Sequence, residues 1–303
     1  MRRVVFASLV LALSGAAATV FLRSQPEVPP RAPTGLFVDP EGLAIDAAGQ
    51  VYVADEDSGA LLILSPDLEL LARIGAPPDE PDHWLTRGGG VAPLESGRVA
   101  LVGVFSDLLE LRITGPTSAE LVRRCGGGLD GTEGIAVGPD GRLYVAEEDT
   151  SRVVIFDREG QRVGQWQLDD MPEHLTFVGD DLYICYAHGD WIGRHAPGTG
   201  ALRSRLADDA GWDIPDALAV GPDGLLYVTD QGNHRVVVVR PPTLDAPGGQ
   251  VVRVIGRRGS APGELRDPED LVFDHAGRLI VADGGNGRLQ VFDLEGRSLL
   301  VVD

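Results

Sequence analysis

Short apolar runs separated by short polar joints repeat along most of the chain. Gly134–Val137, Arg142–Ala146, Val153–Asp157 and Arg162–Trp166 are four such runs. Each is too short for an ordinary helix, and each is rich in valine, isoleucine and aromatic residues, as strands are. The joints Gly138-Pro139-Asp140-Gly141 and Asp157-Arg158-Glu159-Gly160 carry the residues of tight hairpin turns. The pattern predicts a four-stranded antiparallel sheet with no helix.

The same unit recurs. Pro40-Glu-Gly-Leu-Ala-Ile-Asp-Ala-Ala-Gly-Gln-Val-Tyr-Val-Ala-Asp55 parallels Thr132-Glu-Gly-Ile-Ala-Val-Gly-Pro-Asp-Gly-Arg-Leu-Tyr-Val-Ala-Glu147. Further copies run from Pro215 to Asp230 and from Pro268 to Asp283, and two weaker ones start near Gly89 and Glu173. Their turn positions, Gly49, Gly97, Gly141, Asp181, Gly224 and Gly277, lie 40 to 53 residues apart. A lone four-stranded sheet leaves two apolar faces in water. Stacking such sheets around an axis buries both. The expected fold is therefore all-β: a six-bladed β-propeller of four-stranded blades over residues 35–303. The last copy supplies all four of its strands and ends at Ser298–Asp303, so Gly35–Asp39 is the segment left to help seal the ring.

Composition sharpens this. With 43% hydrophobic residues the chain can fill a core, and its 40 glycines fall at fixed offsets between runs, which marks turns rather than low complexity. The formal charge is −20 and every basic residue is arginine. Such a surface repels nucleic acid and anionic lipid and favours cations or basic partners. The absence of lysine excludes Schiff-base chemistry. Cys125 and Cys185 fall two blades apart and are expected as unpaired buried thiols.

Residues 1–25 have the design of a signal peptide or signal anchor. Arg2 and Arg3 precede the apolar run Val4–Leu13, and Ala16-x-Ala18 fits a signal-peptidase site. Val4–Leu22 also has the length of an uncleaved anchor. Residues 26–34 form a proline-rich spacer. Both readings place the main domain outside the cytoplasm, periplasmic or secreted, with membrane attachment only through this segment.

Tyr227-Val-Thr-Asp-Gln-Gly-Asn-His-Arg-Val236 resembles the signature of NHL repeats, and Val281-Ala-Asp-Gly-Gly-Asn-Gly-Arg288 is a second copy. The resemblance is strong in blades 1, 3, 5 and 6 and weak in blades 2 and 4. It implies a six-bladed propeller, an architecture that hosts both binding modules and enzymes.

Eight residues before each turn position stands Glu41, Gly89, Glu133, Glu173, Asp216 or Glu269. Five of these six are carboxylates at one equivalent place, where the innermost strand begins and the channel opens. Three readings are open for Glu41, Glu133, Glu173, Asp216 and Glu269: a site for Ca2+ or another divalent cation, a seat for a cationic organic or peptide ligand, or a solvated acidic rim. The positions also resemble the metal ligands of the gluconolactonase (senescence-marker) propellers. Glu41 and Asp216 match those ligands in type, whereas Glu133 and Glu173 replace asparagines. Virginiamycin-type and peptide-amidating lyases place histidines near this level, but here His174 is one residue out of step with Glu173.

Other residues are weighed against this ring. Asp55, Glu147, Asp230 and Asp283 close the second strands and are expected to fix blade geometry with Arg152, Arg235 and Arg288. His188 breaks the repeat signature in blade 4, on the face of the carboxylate ring, and is a candidate general base. Trp84 and Arg87 before blade 2, Trp191 in blade 4, and Trp212 and Asp213 before blade 5 are candidate ligand contacts on loops of that face. No serine-nucleophile elbow, phosphate loop or zinc-protease motif is present in the sequence. Two functions follow: an extracytoplasmic module binding a basic protein, peptide or small molecule through its acidic face, or a divalent-metal lactonase or lyase with its ion in the ring.

Overall fold

The computed structural model describes residues 35–75, 89–102, 107–125 and 128–303. The leader, the spacer, and the loop carrying His83, Trp84 and Arg87 lie outside the described residues. The rest folds as predicted: six four-stranded antiparallel sheets, each with its strands in sequence order. The inner strands are Pro40–Ile45, Val91–Leu94, Thr132–Val137, Leu175–Val178, Pro215–Val220 and Pro268–Phe273.

Second strands are covered on both faces, which explains their unbroken apolar runs. Val51–Asp55, Leu143–Glu147, Leu226–Asp230 and Leu279–Asp283 are buried at every residue. The outermost strands alternate instead, as Gln250–Ile255 does, because one face meets water. Each gap between consecutive blades holds its own apolar layer. Tyr144, Val153 and Trp166 of blade 3 pack with Leu182, Ile184 and Tyr186 of blade 4. Every buried valine or leucine in these layers contributes roughly 1.5–3 kcal/mol relative to exposure. Cys125 and Cys185 are free, buried members of two of the layers.

The ring closes without borrowing a strand. Phe37, Val53 and Leu62 of the first blade region share a layer with Ile280, Leu289 and Val291 of blade 6. Asp270 Oδ2 in blade 6 accepts a hydrogen bond from the backbone N–H of Leu43 in blade 1 at 2.7 Å. The segment before blade 1 joins in as anticipated. Phe37 is buried there, and the N–H of Glu56 donates to the carbonyl of Asp39 at 3.0 Å.

Inner strands pack so tightly that one position tolerates only small side chains in half of the ring. A Cβ on Gly42 would lie 1.7 Å from the carbonyl oxygen of Gly89 in the next blade, and one on Gly134 would lie 2.6 Å from that of Glu173. The Glu-Gly pairs of blades 1 and 3 are therefore a channel carboxylate followed by a blade-to-blade contact. The ladder also shifts register at this point in four blades, between Pro40 and Gly42, at Thr132–Ile135, at Pro215–Leu218 and at Pro268–Leu271. These bulges set apart the ring residue from the regular strand.

Candidate functional site at the channel mouth

Four of the strand-closing acids prove to be pins. Asp55, Glu147, Asp230 and Asp283 each accept the backbone N–H of the residue 17 positions earlier: Val38, Asp130, Asp213 and Arg266, at 2.7–3.0 Å. Three of them also hold the arginine five residues on, Glu147 with Arg152 at 2.7 Å, Asp230 with Arg235 at 2.6 Å and Asp283 with Arg288 at 2.7 Å. Each acid ties its loop to the end of its second strand. His234 has a similar duty, since its Nδ1 accepts the N–H of Asp267 at 3.1 Å.

Blade 4 has Ala187 where blades 1, 3, 5 and 6 place that acid. The acid stands instead 17 residues earlier, as Asp170, and its partner is the indole N–H of Trp191 at 2.8 Å. Trp191 stacks on Tyr186 with centroids 3.9 Å apart, and the Arg205 guanidinium lies 4.4 Å over its ring. Asp190 Oδ1 accepts the N–H of Ile214 in the lead to blade 5 at 2.9 Å. The single 3-10 turn Ala187–Gly189 is thus held from both sides, with His188 at its centre.

The five predicted ring carboxylates do gather at the mouth. All five are only partly exposed; the Glu173 side chain, for example, retains 27% of its exposure. Burial, then the charges of Glu56, Glu133, Glu269 and Asp39, pushes Glu41 well above the usual carboxylate range. Glu133 is raised well above it too, by burial and then Glu173, Glu148, Glu56 and Asp149. Asp216 is raised by burial and by Glu269, to which it is hydrogen-bonded. Glu269 rises to about 8, mainly through burial, and accepts a hydrogen bond from Gln231. Glu173 rises to about 7, again mainly through burial. Gly89 is the gap in the ring: a Cβ there would stand 3.1 Å from Glu41 Oε1 and 3.2 Å from Glu133 Oε2.

A second tier lies over the first, one residue beyond the strand-closing position. It consists of Glu56, Glu148, His188, Gln231 and Gly284; blade 2's counterpart falls outside the described residues. The same register found in the first ring would have exposed it in the sequence. The tiers interlock between blades. Gln231 of blade 5 donates to Glu269 of blade 6, and Glu148 of blade 3 meets Glu173 of blade 4 in repulsion. His188 joins that pair, its Nδ1 3.1 Å from Glu148 Oε1 and 3.9 Å from Glu173 Oε2. The hydrogen bond to Glu148 raises the imidazole to about 9, so it is a cation at neutral pH. A cationic His188 acts as a proton donor or a paired charge, and becomes a base only after losing that proton.

Below the ring, His174 of blade 4 reaches toward blade 6, its Nε2 3.8 Å from Asp270 Oδ2. Three sealed polar atoms in this region have no hydrogen-bond partner: Glu41 Oε2, Glu173 Oε2 and His174 Nδ1. The predicted aromatic contacts are mostly packing groups. Trp191 and Trp212 are only 8% and 7% exposed, and Trp212 donates to the carbonyl of Leu206 at 3.2 Å. Asp213 fixes its turn by accepting the N–H of Gly232 at 2.8 Å through its carbonyl. Among the described residues, three metal-type ligands approach within 4.8 Å of one another in two places, Glu148–Glu173–His188 and Asp39–Glu56–Asp57. No three of the five ring carboxylates do so.

Comparison with known proteins agrees with the repeats. The family model for the NHL repeat matches residues 133–156, 213–239 and 265–292, in blades 3, 5 and 6. The chain thus carries NHL repeats within its six-bladed β-propeller. Blade 1 lies outside the matched stretches, and it lacks the arginine of the signature, with Ala60 in its place. NHL repeat-containing protein 3 of Mus musculus is 26% identical over 51% of this chain and 49% of its own length. NHL repeat-containing protein 2 of Gallus gallus is 28% identical over 53% of this chain and 21% of its own. The propeller chain thus spans about half, or less, of the curated relatives it matches. Among solved structures, virginiamycin B lyase from Staphylococcus aureus superposes with a TM-score of 0.60 at 14% identity, covering 86% of this chain and 83% of the lyase. Kuenenia stuttgartiensis hydrazine synthase reaches 0.62 at 11% identity, covering 91% of this chain and 90% of its own. At these identities the likeness is one of fold.

Proposed function

We propose that this NHL-repeat propeller is an extracytoplasmic binding module that seats a cationic group of a basic peptide or protein in its acid-lined mouth. The observation that carries the reading is the ring itself. Glu41, Glu133 and Asp216 are crowded and buried enough to hold protons, and a cation would relieve that crowding. The unpartnered oxygens of Glu41 and Glu173 supply acceptors for its N–H groups, and the notch at Gly89 supplies space between Glu41 and Glu133. Export rests on the design of residues 1–25.

The second reading, a divalent-metal lactonase or lyase with the ion among the ring carboxylates, draws on the fold shared with virginiamycin B lyase. It has less geometric support, because the ring acids stand apart. Binding of a fluorescent arginine-rich peptide in EDTA tests the first reading. Affinity should fall with salt and fall at least tenfold in Glu41→Gln. Equal affinity for a neutral peptide, or no binding, removes it.

A further inference from the structure

Beyond the peptide-binding reading, with which it shares only Glu173, we propose that Glu148, Glu173 and His188 form a divalent transition-metal site of the zinc or manganese class, on the rim between blades 3 and 4. The spacing is the first argument. Bonds of about 2.0–2.2 Å in a tetrahedral site keep ligand atoms roughly 3.3–3.6 Å apart. His188 Nδ1 stands 3.1 Å from Glu148 Oε1 and 3.9 Å from Glu173 Oε2, and all three ligand atoms fall within 4.8 Å of one another. The two distances from His188 need shifts of only tenths of an ångström to reach that range.

An independent observation concerns Glu173. Its Oε2 is sealed from solvent and has no hydrogen-bond partner, and His188 Nδ1 faces it beyond hydrogen-bonding distance. A sealed acceptor without a donor is costly, and a metal ion would satisfy it. The donors are also held from the backbone. Glu148 N–H donates to the carbonyl of Gly131 at 2.6 Å, and Glu173 N–H donates to that of Cys185 at 2.9 Å. His188 rides on the turn that Asp170–Trp191 and Asp190–Ile214 tie down.

The donor set selects the ion. One imidazole with two carboxylates suits zinc, manganese, cobalt or nickel, whereas calcium and magnesium take oxygen alone. Two carboxylates and a neutral imidazole balance a divalent charge. The His188 side chain is 59% exposed, which leaves the remaining coordination position on the solvent side for water or a partner's donor atom.

The test is a Co2+ titration of the full chain, produced without a histidine tag and followed by visible absorption. One ion per chain, displaceable by Zn2+, is expected. His188→Ala and Glu148→Gln should each weaken binding at least tenfold, while His275→Ala, in a turn remote from these ligands, leaves it unchanged. Thermal unfolding without metal checks that the variants still fold. No Co2+ binding, or binding that survives both substitutions in folded protein, overturns the site. Peptide binding is measured in EDTA, so either result leaves that reading to its own test.

Discussion

Asp170 Oδ2 accepts the indole N–H of Trp191 at 2.8 Å, and this pair replaces in blade 4 the acid-to-backbone pin of four other blades. The acid now stands at the loop end of the span, and its donor is a side chain 21 residues further on. Freed from the strand-closing position, the loop presents His188 to Glu148 and Glu173. Asp170→Ala is expected to cost about 1–2 kcal/mol, the range for a neutral donor left without its acceptor. It should also loosen the turn and remove one of the charges that raise His188, so that the His188 titration, followed by NMR, moves down from about 9 toward an ordinary imidazole. An unchanged titration would show that neither the pin nor the Asp170 charge governs His188.

Asp283 makes the most complete pin. It accepts from the N–H of Arg266, from Asn286 and Gln290, and from the guanidinium of Arg288, and it is sealed from solvent. Asp283→Ala leaves a largely buried guanidinium and several donors without a partner. The expected loss is about 3–5 kcal/mol in urea unfolding, with little change in slope.

Gly42→Ala probes the blade-to-blade contact. The added carbon would sit 1.7 Å from the Gly89 carbonyl oxygen, which belongs to backbone and cannot swing away. The inner strands of blades 1 and 2 must part, and the variant should unfold well below the parent or fail to accumulate as soluble protein. Gly75→Ala, where a Cβ would meet nothing within 4 Å, is the matching control.

The ring is expected to make stability fall as pH rises, opposite to ordinary acid denaturation. Glu269, raised to about 8 when folded against 4.5 for the free side chain, binds more protons in the folded state between those values. Its contribution is fully present below about pH 4.5 and is lost as pH climbs through 8. Melting temperature should therefore drop across this window at constant ionic strength. Glu269→Gln should raise it by a few degrees at pH 8 and hardly at all at pH 5. A flat profile in the parent would mean that the ring is held ionised by bound cations.

Much of this was legible from residues alone. The turn glycines and the runs between them specify six four-stranded units, and a fixed offset from each turn picked out Glu41, Glu133, Glu173, Asp216 and Glu269. That works because repeats place equivalent positions at equivalent radii. The role of Glu147, Asp230 and Asp283 as geometric fasteners also followed from the arginines five residues after them. The upper tier of Glu56, Glu148 and Gln231 was available by the same count but is masked by its neighbours, since Glu148 follows a second acid and Gln231 is neutral.

What the sequence determined by itself is the architecture, the inner ring of acids and the break in blade 4, because these depend on local periodicity and register. Tertiary structure alone decided which side chains meet. The pairing of Glu148 with Glu173 crosses from one blade to the next, the Asp270 clasp joins the last blade to the first, and His174 reaches across the channel. Such contacts depend on how far each sheet is turned about the common axis. No offset along a single chain encodes that angle; it is set by the apolar layers packed between the blades.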